Sequence, residues 1–204
     1  MAAEHDPKEL IKKYVADLHS LVEHGHKAVS RQVDQLKDSE FPEAHRAVVD
    51  FEKMLDQHNG QLEQHLKSLG GNVSSPVQDA ASAVAGAAAG VYNAVRSEEA
   101  SKSIRDDYTF LSLTSISSLM LYTTAKSIDD EQTAMIAERV YRDAARCIER
   151  IDDMMPRLIV GELNKDGFRA RDVSNTAHQL VGSSWGTSSS LRGQQTTGAT
   201  ASSA

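Results

Sequence analysis

From Pro7 onward the apolar residues recur at intervals of three and four. Leu10, Tyr14, Leu18, Leu21, Val22, Gly25, Val29 and Val33 share one helical face, with Lys, Asp and His on the others. This spacing predicts a helix over residues 7–36. Ser39-Glu-Phe-Pro42 breaks the pattern and starts a second helix with proline in its first turn, where a missing N–H costs no hydrogen bond. In it Phe51, Leu55, His58, Leu62, His65 and Leu69 alternate spacings of four and three, the heptad seam of an antiparallel bundle. Gly70-Gly71 offers the left-handed residue on which helices end.

Pro76 to Arg96 is alanine-rich, with Val77, Val84, Val91 and Val95 as its apolar stripe. A helical connection this long lets the next helix start at the far end of the molecule, a single-crossover arrangement. The third helix is expected over residues 101–127 and carries a stretch from Tyr108 to Ala125 without one charge. Eight of those eighteen residues are Ser or Thr, which is poor for lipid contact, so the stretch reads as an inner helix and not a membrane span. Its hydroxyls are expected to bond back to the carbonyl four residues earlier. After Asp129-Asp130 a fourth helix is marked by Val140, Ala144, Cys147, Ile151, Met154 and Leu158, with Pro156 kinking or shortening its end.

Beyond Leu163 the composition changes. Asp172–Val181 carries enough apolar residues for a turn or two of helix, while Gly182 onward is Ser, Thr, Gly and Ala. Such a segment buries too little apolar surface to offset its ordering entropy, so disorder is expected there. The division into domains is therefore 1–163, an all-α four-helix bundle, and 164–204, a flexible tail.

Composition narrows the function. A formal charge of -7 and a pI near 5.6 give nucleic acid no basic stripe to bind. With only 5% aromatics in a 40% hydrophobic chain, the core is aliphatic. The single Cys147 excludes an internal disulfide and reads as a buried, inert thiol in a reducing compartment. The first thirteen residues are polar and hold no secretory apolar run, so the expected location is the cytoplasm. Gly86–Gly90 follows no strand and lacks the Lys-Ser/Thr ending of a phosphate loop, and Gly-x-Ser-x-Gly is absent.

Asp17-Leu-His-Ser-Leu21, and Gly60-Gln-Leu-Glu63 ahead of Leu69-Gly-Gly71, resemble segments of a stress-associated bacterial branch of the ferritin-like superfamily, a domain of unknown function. The resemblance spans Glu9 to Leu158, including the alanine-rich crossover and the Asp106-Asp107-Tyr108 entry to the third helix. It implies a ferritin-like four-helix bundle and, in members with a complete di-iron site, inward Glu residues on all four helices. This chain departs from that pattern on each helix. Val22 stands where a Glu usually follows, and Glu23, one residue on, is turned by ~100°. Asp56-Gln-His-Asn59 replaces a Glu-rich segment, Phe110-Leu-Ser-Leu-Thr114 replaces the expected acids, and Arg142-Asp143 stands at the paired Glu. Two cations need about four carboxylates in a low-dielectric interior. The resemblance therefore implies the fold without the di-iron chemistry, and no cofactor.

Six of eight histidines fall on the first two helices. If a residual iron or zinc site exists, Asp56, His58, Asp143 and His26 are its candidate ligands, imidazole being a good transition-metal donor. The bland alternative is a set of hydrogen-bonded histidines along the seam. In the tail, Trp185 is a candidate partner anchor. Ser190-Leu-Arg-Gly193 is similar to part of the tags that load ferritin-like cargo into encapsulin shells, which adds Leu191 and Arg192 as candidate partner contacts. The expected function is a non-catalytic, homo-oligomeric structural or interaction protein, stress-related by resemblance, that recruits a protein partner through residues 182–204. The alternatives are an iron-binding or iron-oxidising protein with a His/Asp site, and encapsulin-type cargo.

Overall fold

The structure is a computed structural model that describes residues 6–72 and 100–193, with side chains described as far as Trp185. Among the described residues it is all-helical: α1 (Pro7–Leu36), α2 (Pro42–Ser68), α3 (Ala100–Ser127), α4 (Glu131–Lys165) and α5 (Ser174–Gly193). The alanine-rich connector at 76–96 lies outside the described residues. The chain divides into two compact units, Met1–Ile151 and Asp152–Ala204, so the division comes earlier than the compositional change at Leu163. None of the described helices is long and apolar enough to cross a membrane.

Each boundary has a local cause. Asp6 accepts the Lys8 amide at 2.9 Å and starts α1 directly before Pro7. Gly70, at φ +74°, ends α2, with the Gly71 amide bonding back to Leu66 O at 2.9 Å. This six-to-one bond satisfies a carbonyl the helix would otherwise leave open. The same closure ends α3, where Asp130 N bonds Ala125 O at 2.9 Å, but the left-handed position is held by Asp129 at φ +60° and not by glycine. Asp130 then starts α4, accepting the Thr133 amide at 3.0 Å and the Thr133 hydroxyl at 2.7 Å. Gly167 and the Phe168 N to Leu163 O bond close α4.

In the first unit α1 runs along α2 and against α3. α2 and α4 meet at three levels, His65 with Thr133, His58 with Asp143 and Asp50 with Arg150. The numbers fall along one helix as they rise along the other, so the two are antiparallel. The core is aliphatic, built from residues such as Ile11, Leu18, Leu55, Leu62, Ile104 and Ile151, with Phe51 its largest fully buried side chain.

Three expectations need correction. The α1 stripe begins at Ile11 and Val15, while Leu10 is exposed. At its far end Gln32 is buried and Val33 only half-buried, since over thirty residues a helix of 3.6 residues per turn drifts off any fixed three-four spacing. Pro156 does not shorten α4, which runs through it to Lys165. The C-terminal helix extends beyond the one or two turns expected near Asp172–Val181, passing Gly182 to reach Gly193. Ser183 and Ser184 both donate to Leu180 O, at 2.9 and 2.8 Å, so the polar composition there is accommodated by hydroxyls folded onto the helix backbone. Within the second unit His178 Nε2 donates to Asp153 O at 2.8 Å and ties α5 to the end of α4.

Candidate functional site

The seam of α2 carries two of the buried polar side chains, His58 and His65. Its three-four spacing turns Phe51, Leu55, His58, Leu62 and His65 inward together, so two imidazoles are buried with the aliphatic residues. His65 donates from Nε2 to Thr133 Oγ1 at 2.7 Å, because the Thr133 hydroxyl is itself donating to Asp130. The chain His65–Thr133–Asp130 therefore fixes the Nε2–H tautomer and leaves Nδ1 as an acceptor, 3.5 Å from Ser68 Oγ. A cleft of about 380 Å³ opens beside it, lined by Gln61, Gln64, His65, Ser68, Gln132, Met135, Ile136 and Arg139.

Two turns earlier His58 is almost wholly buried. Its Nε2 lies 3.0 Å from Asp143 Oδ2, yet neither ring nitrogen has a well-aligned hydrogen bond. The contact is thus electrostatic more than directional. Burial pushes the His58 pKa down, with Asp143 pulling the other way. His65 is likewise lowered by burial against the opposing pull of Asp130. His19 on α1 is also buried and lowered. Asp143 bonds Arg146 one turn on, which draws part of its charge outward. Cys147, half-buried, has its thiol pushed up to about 11, chiefly by burial, so it stays neutral and unreactive at ordinary pH.

His26 belongs to a different group. Its Nε2 lies 3.2 Å from Glu52 Oε1 and 3.9 Å from Asp56 Oδ1, and Ser30 donates to the same Glu52 oxygen at 3.2 Å. The four candidate ligands are therefore placed as two pairs, His26 with Asp56 and His58 with Asp143. Among the described residues no group of three or more His, Cys, Asp or Glu is placed to hold a metal ion. Glu52 was missed in the sequence, although it precedes Asp56 by one helical turn and shares its face. The Asp130–Thr133 pair was also missed, its signal being an acid three residues ahead of a hydroxyl at a helix start.

α3 completes the interior. Phe110, Leu111, Thr114, Ser118 and Leu121 are its buried middle. The Thr114 hydroxyl donates to Phe110 O at 3.0 Å and that of Ser118 to Thr114 O at 2.7 Å. The Phe110 ring lies against the backbone of Gly25, where a Cβ would come within 1.9–2.4 Å of three ring carbons. In the second unit Trp185 is exposed, whereas Leu191 and Arg192 lie on the last turn of α5, beyond the side chains described.

The fold and the seam define an all-α protein with a buried histidine–carboxylate interior. No family model and no curated protein matches the chain. Among solved structures it is similar to the crystal structure of a protein from Xanthomonas campestris pv. campestris, with a TM-score of 0.65 and 15% identity over 79% of this chain and 99% of that one. At that identity the likeness is one of fold.

Proposed function

We propose that this chain is a ferritin-like four-helix bundle that serves as a non-catalytic structural or interaction protein of the cytoplasm. The observation that carries the reading is the make-up of the α3 interior. Phe110, Leu111, Thr114, Ser118 and Leu121 occupy the buried positions of its uncharged stretch, and the two hydroxyls are already spent on their own helix backbone. The Phe110 ring also fills the space beside Gly25 that a longer polar side chain would need. The buried positions of this stretch supply no carboxylate, and Asp107 at its entry is the one buried acid on α3, short of the several acids that a pair of cations requires. The tail from residue 182 recruits a protein partner, with the exposed Trp185 as its anchor.

The test is elemental analysis of purified protein, followed by mixing with ferrous iron in air. No stoichiometric metal and no accelerated ferric absorbance are expected. Rapid oxidation abolished by substitution at Asp143 would overturn the reading. One observation favours a second reading, a single zinc or iron site: His58 is buried with its Nε2 3.0 Å from Asp143 Oδ2. One equivalent of metal, lost in His58→Ala, would establish it. Encapsulin-type cargo remains a reading of the tail alone, and deleting residues 182–204 while co-expressing a shell protein tests it.

A further inference from the structure

Between Tyr108 and Ala125 the outer face of α3 carries no charge. Leu119 (39% exposed), Ile116 (52%) and Met120 (55%) form an apolar patch at the middle of the helix that none of the described residues covers. Thr109 and Thr123, both exposed, stand one to two turns to either side. The hydroxyls on this face need nothing from water. Thr109 donates to Arg105 O at 3.2 Å, Ser112 to Tyr108 O at 2.8 Å, Thr123 to Leu119 O at 2.8 Å and Ser127 to Thr123 O at 2.7 Å. Covering them leaves no donor stranded, so desolvating the face is cheap.

The face is also symmetric about its centre. Stepping outward from Ile116 in both directions gives Leu113 and Leu119, Ser112 and Met120, Thr109 and Thr123, and then Arg105 and Ser127. At ~100° per residue all of these fall within about 60° of the Ile116 direction. A two-fold interface requires one patch to fit itself, residue i meeting j wherever j meets i. An apolar centre with hydroxyl ends meets that requirement. The charges at the ends of the face do not oppose the same arrangement. Antiparallel pairing opposes the two helix dipoles, and it brings Arg105 of each copy, already paired with Asp106, to the end of α3 where the other copy has Asp129 beside the Lys126–Glu131 pair, so both cations enter the contact neutralised.

We propose that this chain self-associates as a two-fold dimer through α3, with Ile116 on the axis facing its own counterpart. Leu113 faces Met120 of the second copy and Ser112 faces Leu119. One helix pair covers less than the roughly 800 Å² per partner of a standard stable interface, so the dimer is concentration-dependent. The inference does not rest on the loss of a metal site; a metal-loaded chain would present the same outer face.

Two experiments test it. Sedimentation from low to high micromolar concentration should show monomer converting to dimer, and Ile116→Glu, at an exposed position that leaves folding intact, should weaken it by at least about tenfold by burying two like charges on the axis. Single cysteines in a Cys147→Ser background, closed by a mild oxidant that takes up the two thiol hydrogens, then fix the geometry. Ile116→Cys should link to itself, and Thr109→Cys should link to Thr123→Cys in a mixture but not to itself. A wild-type chain that stays monomeric throughout overturns the proposal. So does self-linking at Thr109→Cys, which would mean a parallel pair, or an intrachain link between Ile116→Cys and Leu180→Cys, which would mean that α5 covers the face.

Discussion

Gly25 shows how much one residue decides. The Phe110 ring occupies the place of its side chain, so Gly25→Ala must displace a buried aromatic ring in the middle of the interior. Overpacking of this sort costs roughly 1–3 kcal/mol. Chemical denaturation of Gly25→Ala should show that loss, and Phe110→Leu in the same chain should recover part of it. If both single variants are as stable as the wild type, the close approach of α1 and α3 is wrong. The sequence marked Gly25 as one more position on an apolar stripe. Only the ring above it explains why that position holds no side chain, and no spacing rule pairs residues 25 and 110.

At the scale of elements, the helices follow from local chemistry, and their ends more so than their faces. The Pro7 and Pro42 starts and the Gly70 stop were each legible because helix ends involve neighbours in sequence, whereas the Asp6 cap came from the structure. The turn between α3 and α4 departs from the usual choice by placing Asp129 in the left-handed region. Asp129→Gly removes that strain and should raise stability by up to about 1 kcal/mol, read as a higher denaturation midpoint. A fall instead would mean that the Asp129 side chain contributes more than its backbone costs. The hydroxyls of the third helix were expected to fold back on its carbonyls and they do so, because that bond too spans only four residues. The stripe of α1 was less legible at its ends, where burial depends on what its neighbours cover.

Over the whole molecule the buried histidines couple folding to pH. His19, His58 and His65 all have pKa values lowered from 6.5, mainly by burial. A lowered histidine means that the unfolded chain takes up protons first, so stability is unaffected above about pH 6.5 and is lost as pH falls below it. Asp17, raised by burial, works in the opposite sense and is relieved as its carboxyl protonates in more acidic solution. The urea midpoint should therefore drop between pH 7.5 and 5.5, and His58→Gln with His65→Gln should flatten that slope. An unchanged midpoint across this window would contradict the burial of these rings.

The amino-acid sequence determined the helices, most of their ends, the inward register of α2 and the uncharged stretch of α3 from Tyr108 to Ala125, since all of these depend on residues within about one turn of each other. Tertiary structure alone decided which polar groups meet. It set His58 against Asp143 and His65 against Thr133, kept His26 apart with Glu52, and left Ile116 and Met120 uncovered. Those partners lie 26 to 85 residues apart in the chain. Their meeting is fixed by how whole helices pack side by side, which no local pattern encodes.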